Sequence, residues 1–260
     1  MSLAYKVSGW NRKRKWNLFL EYIKPTANTT VLDVGFSEQE YSDTDNYLEK
    51  HYPNIEQITA LCIETPDLYL HTRNSKIEIP EEEIRLKKEQ SSARYPQLKI
   101  VTYDGKIFPF ADKTFDVCWS NAVLEHVGDE QKQILFLKEI KRVAKKAFIT
   151  TPNKYFPIEV HTRTPLLHFC PKKIFDSYLY FVGKGWAAEE YMYLLSLQDL
   201  HKRLYSAGVT EYKIIKNRLL SFVLDFAVIF EADDKKEEEL ALSSDKSHLK
   251  NEVNTPQKLL

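Results

Sequence analysis

The sequence predicts an α/β fold: a doubly wound, mostly parallel sheet with helices on both faces, closed by an antiparallel pair of strands. Three observations predict it. Short apolar runs alternate with helix-periodic stretches along most of the chain, the pattern of repeated βαβ units. Acidic or polar residues follow several of these runs, at Asp33, Glu64, Asp104 and Ser120–Asn121, where an open α/β sheet binds its ligand. The last two apolar runs, Glu211–Lys216 and Ser221–Phe230, are joined only by Asn217–Leu220. That link is far too short for a parallel crossover, so the two strands must run antiparallel if they pair.

The elements follow in order. Residues 10–24, WNRKRKWNLFLEYIK, predict a basic helix within an N-terminal cap spanning residues 1–30. Trp16, Leu18, Phe19, Tyr22 and Ile23 share its apolar face, Pro25 stops it, and the run Arg12–Lys15 reads as a solvated face. Val31–Val34 is a short buried strand. Residues 42–52 predict a helix with Ser42 or Asp43 as N-cap. Ile58–Ile63 is the next strand, ending at Glu64. Residues 71–95 carry EEEIRLKKE and read as a charged, helical surface insertion. Lys99–Tyr103 and Thr114–Trp119 are strands. Gln131–Val143 is a helix with Ile134, Leu135, Leu137, Ile140 and Val143 on its apolar side, and Ala147–Thr150 is a strand closed by Pro152. Residues 153–195, rich in aromatics and interrupted by Pro157, Pro165 and Pro171, form a long irregular insertion of the kind that is more often functional than not. Ser196–Ser206 is a helix ended by Gly208. The apolar run Leu219–Phe230 is read as a buried strand. The domain thus covers residues 31–230, and the polar segment 231–260 is expected to be a disordered tail.

Bulk properties exclude several classes. The 260 residues carry no net formal charge, so no overall field steers nucleic acid. No run reaches the ~18–20 apolar residues that span a bilayer, and the opening MSLAYKVSGWNRKRKW has no apolar signal core. Cys62, Cys118 and Cys170 stand far apart without metal spacing, as expected of buried thiols in a reducing cytoplasm.

The chemistry concentrates in Val31–Gly35 and Val101–Val127. Gly35 lets backbone approach a ligand. The following FSEQEYS lacks the later glycines of a GxGxxG turn, so it is a poor pyrophosphate cradle. That, with the antiparallel end, argues against a nicotinamide oxidoreductase. Asp33 can orient the loop or meet an ammonium group. Glu64 can accept both hydroxyls of a ribose. Asp104 can accept the exocyclic amine of adenine, with the Gly105 and Lys106 backbone along the ring edge. Backbone carbonyls at Ser120 and Asn121 can hold the charged amino-acid end of a cofactor. Glu125 and His126 are expected to begin the next helix, with His126 as proton acceptor or substrate contact. Trp119 is core or a pocket wall.

VLDVG at Val31–Gly35, Glu64, DGxxxPFxDxTFD at Asp104–Asp116 and SNAVLEHV at Ser120–Val127 together resemble class I S-adenosylmethionine-dependent methyltransferases of the small-molecule type, over about residues 30–150. The resemblance implies a Rossmann-like fold, S-adenosylmethionine as cofactor and methyl transfer as the activity. It implies that Asp33 and Gly35 contact the methionine part, Glu64 the ribose and Asp104 the adenine. Asn121 and Leu124 would line the sulfonium side, and His126 would face the substrate mouth. The segment TPNKYFPIEVHTRTPLLHF, Thr151–Phe169, is similar to a subset of bacterial methyltransferases of unassigned substrate. It supplies Asn153, Tyr155, Glu159, His161, Arg163 and His168 to a substrate pocket, and Glu159 and His161 join His126 as catalytic candidates. Tyr155, Phe156, Leu166 and Leu167 would otherwise pack a lid. Glu159, His161 and His168 match no strong zinc spacing, and no metal is expected. The chain lacks the Asn/Asp-Pro-Pro-aromatic stretch of nucleic-acid amino-methyltransferases, so the expected acceptor is a small molecule or glycan, not nucleic acid. The alternative is a non-catalytic binding module whose Phe36–Gln39 loop no longer holds the cofactor.

Overall fold

The structure, a computed structural model, describes residues 3–37, 40, 45–63, 70–72, 75–77, 94–188 and 192–232. Its elements are α1 (Leu3–Ile23), β1 (Val31–Val34), α2 (Tyr47–His51), β2 (Ile58–Ile63), β3 (Leu70–Thr72), β4 (Ser75–Ile77), β5 (Lys99–Tyr103), β6 (Phe115–Asn121), α3 (Glu130–Val143), β7 (Ala144–Pro152), β8 (Ile158–Glu159), β9 (Thr164–Pro165), α4 (Lys172–Phe181), α5 (Leu197–Ser206), β10 (Tyr212–Leu219) and β11 (Phe222–Glu231). Seven of the described strands form one sheet in the order β10, β11, β7, β6, β1, β2, β5. The five strands from β7 to β5 are parallel, and β11 runs antiparallel to both β7 and β10. This is the predicted doubly wound sheet with its antiparallel end.

Register decides which side chain serves which layer. Asp33 pairs with Ala60 and with Trp119, while Leu32 pairs with Thr59 and Cys118. Side chains alternate across a pleated strand, so Asp33, Ala60 and Trp119 share one face. That face is covered by α1 and α2, with Phe19, Leu48, Tyr52 and Phe148 in its core. The Phe19 ring meets Trp119 edge-on at 5.0 Å and Phe148 at 5.7 Å. The opposite face packs against α3 and α5 through Leu137, Ile140, Leu200 and Leu204. Trp119 is therefore core.

Several boundaries differ from the sequence reading. α1 begins at Leu3 rather than residue 10 and ends before Lys24, which turns left-handed at φ 52°, ahead of Pro25, which disfavours a helical residue before it. Its basic run is solvated only in part: Lys13 is exposed, but Lys15 is only 6% exposed and Arg12 pairs with Asp45 at 2.9 Å. The helix of residues 42–52 is the single turn α2, led by Asn46; the expected caps Ser42 and Asp43 lie outside the described residues. So do Glu64, most of the 71–95 insertion and the tail beyond residue 232. The run EEEIRLKKE, expected to be helical, lies outside the described residues; nearer the start of the insertion β3 and β4 pair antiparallel. β6 extends to Asn121 and β7 from Ala144 to Pro152 because each is hydrogen-bonded along a neighbour. Glu125 and His126 form a 3₁₀ turn, Leu124–His126, separate from α3, whose N-cap Asp129 accepts from the N–H groups of Gln131 and Lys132. Leu219–Phe230 is not one strand, because Leu220 turns left-handed at φ 54° between β10 and β11. Among the described residues no helix is long and apolar enough to cross a membrane.

Candidate active site

The chain leaves β1 toward β2 and β5 on one side, then returns to β6 on the other. The strand order therefore reverses between β1 and β6, and a crevice opens there beyond the strand ends, the usual ligand position in such sheets. Gly35 follows β1 with φ +111°, and a Cβ there would stand 2.3 Å from Val123 Cγ2. Glycine is required on both counts: the conformation is left-handed, and the loop after β6 lies against it. That second loop is bent by Ala122, left-handed at φ 58°, whose N–H donates to the Thr150 carbonyl at 2.9 Å. Two strands away, Asp104 follows Tyr103, which pairs with Ile63. Asp104 is exposed and accepts from the Lys106 N–H at 3.0 Å, an ordinary Asp-Gly turn. Gly105, at φ +80°, has open space around it.

The structure redistributes the other crevice candidates. Asp33 does not reach the crevice. Its carboxyl lies on the α2 face, buried beside Glu49, and burial followed by the Glu49 charge raises its pKa well above the usual range. Burial raises Glu49 as well. Burial beside a like charge disfavours ionising both carboxyls at once. Leu124 is 0% exposed in the α3-side core, so its side chain props the loop instead of lining a cofactor surface. Phe36 does not fill the crevice either: it is buried against Tyr95, ring centroids 5.8 Å apart. Asn121 is at the crevice, and its side-chain oxygen accepts from Thr150 Oγ1 at 2.7 Å and from Lys15 Nζ at 3.1 Å. Lys15 also pairs with buried Asp225 at 3.3 Å, so α1 reaches over the strand ends.

Beside Asn121, three catalytic candidates from distant parts of the sequence converge. His126 Nε2 lies 3.1 Å from His161 Nε2, and His161 Nδ1 lies 2.8 Å from Glu159 Oε1. Glu159, 2% exposed, ends β8 and also accepts from the backbone N–H groups of His161 and Thr162 and from Thr162 Oγ1. Burial opposes its charge, but these donors, led by His161, hold its pKa down to about 2. Since the carboxylate can only accept, His161 Nδ1 carries the proton. Burial also opposes a charged His161, yet the bond to Glu159 and the charges of Glu125 and Glu159 prevail and raise its pKa.

Sequence reasoning takes Glu125 only as a helix start, and its role is the main residue-level omission. It is 0% exposed, with Oε2 accepting from Thr151 Oγ1 at 3.0 Å. Its Oε1 is buried without a hydrogen-bond partner, an arrangement that costs about 1–3 kcal/mol. The signal for it is its place beside His126 at the end of the DGxxxPFxDxTFD–SNAVLEHV stretch. His168 stands apart, at an irregular cavity of about 970 Å³ lined also by Gln133, Tyr155, Phe175 and Tyr193. Tyr193 joins this cavity to the cluster, its N–H donating to the Glu125 carbonyl at 2.8 Å. Tyr155 and Leu166 are exposed, so of the expected lid residues Phe156 is buried and Leu167 is packed against Phe175 and Leu179.

Residues 59–147 match the family model described as Methyltransferase domain. No curated protein matches the chain. Among solved structures the chain is similar to the CurJ carbon methyltransferase, with 14% identity, a TM-score of 0.50, and coverage of 86% of this chain and 54% of that one. It is similar also to an S-adenosylmethionine-dependent methyltransferase from Methanosarcina mazei, with 16% identity, a TM-score of 0.47, and coverage of 82% and 95%. A third similar structure, from Aquifex aeolicus, is another such methyltransferase, with 17% identity, a TM-score of 0.45, and coverage of 82% and 87%. At such identities the likeness is one of fold. Residues 59–147 are thus similar to a methyltransferase domain, and the chain has the fold of class I S-adenosylmethionine-dependent methyltransferases.

Proposed function

We propose that the protein is an S-adenosylmethionine-dependent methyltransferase acting on an oxygen, nitrogen or carbon nucleophile of a small or glycan-like acceptor. The observation that carries this reading is the switch-point crevice between β1 and β6, with the His126–His161–Glu159 cluster at one end and the open Asp104–Gly105 turn at the other. The residues fit an adenosyl group without pyrophosphate: one glycine at the close approach, and an exposed carboxylate beside an open glycine for the adenine amine. In this reading Asp104 and Gly105 hold adenine, Glu64 holds ribose, and Gly35 and Asn121 bound the methionine part. When bound, the cofactor supplies an electrophilic sulfonium methyl. The protein's own contribution is to align and desolvate the acceptor. His126 takes the acceptor proton where one must leave, with its partner His161 oriented by Glu159. The aromatic and polar walls of the adjoining cavity suit a sugar-like acceptor. The free cysteines support a reducing cytoplasm, and the resemblance of Thr151–Phe169 supports a bacterial source.

The second reading, a non-catalytic binding module, draws on the contact of Val123 with Gly35 and on Lys15 seated at Asn121, which narrow the crevice. Calorimetric titration with S-adenosylmethionine, S-adenosylhomocysteine and NAD separates the two. The expected result is one-to-one binding of the first two and none of NAD. Absence of cofactor binding, with and without an acceptor panel of sugars and lipid-linked glycans, moves the weight to the binding module.

A further inference from the structure

We propose that Glu125, His126 and His161 form a binding site for one divalent first-row transition metal ion, with Glu159 orienting His161 from behind. Three donor atoms converge there. His126 Nε2 and His161 Nε2 are 3.1 Å apart, and Glu125 Oε1 lies 3.7 Å from His161 Nε2 and 3.9 Å from His126 Nε2. Nitrogen and oxygen donors held about 2.0–2.2 Å from one ion at tetrahedral angles stand about 3.3–3.6 Å apart. The observed separations bracket that range, so small side-chain rotations bring all three donors onto one ion.

An independent observation points to a ligand. Glu125 Oε1 is fully buried, accepts no hydrogen bond from the protein, and faces both imidazoles. A cation between the three atoms gives it a partner. The surroundings are those of a metal site: Glu159 accepts the hydrogen bond of His161 Nδ1–H and leaves Nε2 as a lone-pair donor, the carboxylate–histidine arrangement that fixes metal-ligating imidazoles. Both ligand segments are pinned. The Tyr193 N–H donates to the Glu125 carbonyl, the His126 N–H donates to the Val123 carbonyl at 2.8 Å, and Glu159 caps the turn that carries His161. Of the nearby cations, Lys15 pairs with Asp225 and Lys184 donates to the Thr162 carbonyl, and Glu125 and Glu159 set two carboxylates against them. Two imidazoles and one carboxylate suit Zn²⁺, Co²⁺ or Fe²⁺. Three protein ligands leave a coordination position free, and the two histidines are partly exposed. If the methyl-transfer reading holds, that position takes an oxygen donor of the acceptor and lowers its pKa, so that the ion would replace His126 in prompting loss of the acceptor proton, which narrows the acceptors to hydroxyl compounds able to ligate a metal.

The test uses the full chain purified without a polyhistidine tag and stripped with chelator. Equilibrium dialysis against Zn²⁺, followed by elemental analysis, should give one ion per chain, and Co²⁺ should give a visible ligand-field spectrum. His126→Ala and His161→Ala should each weaken Zn²⁺ at least a hundredfold, Glu159→Gln by about 10–100-fold, and His168→Ala not at all. Circular dichroism checks that each variant is folded. For any variant that is not, the rise in Tm of the wild-type chain with Zn²⁺ replaces it as readout. No stoichiometric ion, or unchanged affinity in both folded histidine variants, overturns the proposal. S-adenosylmethionine affinity of the metal-free chain is measured in parallel. Metal binding without cofactor binding removes the methyl-transfer reading and keeps the metal site, and the opposite result does the reverse.

Discussion

Gly35 shows how much a single residue can be required by its neighbours. Its φ of +111° and the 2.3 Å that would separate an added Cβ from Val123 Cγ2 are separate penalties. Gly35→Ala should therefore lower stability by about 1–3 kcal/mol in chemical denaturation, and adding Val123→Ala should recover only the steric share. Lys15 poses the opposite problem, a charge made tolerable by its partners. Replacing it with methionine leaves Asp225 buried with, among the described residues, Asn11 and Asn217 as side-chain donors. A loss of about 3 kcal/mol is expected, and Asp225→Asn in the same chain should restore part of it. Asp104→Ala removes a charge-assisted acceptor worth about 1.5–3 kcal/mol, so cofactor affinity should fall tenfold or more in calorimetry; unchanged affinity would remove Asp104 from the adenine site. His126, His161 and Glu159 were legible because imidazole and carboxylate side chains near strand ends are few. Glu125 and Lys15 were not, because burial is decided by what packs over a residue, and a charged residue in sequence looks solvated.

At the scale of elements, α2 docks on β1 by setting Glu49 against Asp33. Both carboxyls have raised pKa values in the folded chain. The sign follows from linkage: a raised folded value means the stabilising protonated form is fully present below the unfolded value, about pH 4, and its contribution is lost as pH rises through the folded values. Glu49→Gln should flatten the decline of Tm with pH and leave the variant more stable than the wild-type chain under alkaline conditions; parallel curves would show that no proton is shared. α5 opens with a capping box in which Ser196 Oγ accepts from the Asp199 N–H and Asp199 accepts from Ser196. Ser196→Ala should cost about 1 kcal/mol, read from urea unfolding. Helices with a cap and a clear apolar stripe, α3 and α5, were legible to within a residue or two. β6 and β7 were not legible to their ends, since their outer residues join the sheet through neighbours' hydrogen bonds rather than through their own hydrophobicity. The start of α1 is hidden for a related reason: residues 3–9 offer no strong periodicity.

For the whole molecule, layer order and sheet direction were legible because the alternation of apolar runs and the short Asn217–Leu220 link permit few topologies. The reach of α1 across the strand ends was not, since nothing local in WNRKRKW names Asp225 or Asn121 as partners. α1 is part of the domain rather than an appendage: Phe19 and Ile23 are buried in the core of one sheet face. Removing residues 1–24 should yield a chain that aggregates or lacks cooperative unfolding, checked by size exclusion and thermal melts. A soluble, cooperatively folded fragment would contradict that assignment. The same contacts impose an order on biosynthesis. Asn11 and Lys15 bond to Asp225, and Arg14 donates to the Arg218 carbonyl, partners more than two hundred residues downstream. During translation α1 therefore leaves the ribosome long before the strands that anchor it, with Trp16 and Phe19 uncovered. Trp119 and Phe148 can cover those rings earlier, but the polar closure at Asp225 waits until that residue has cleared the exit tunnel.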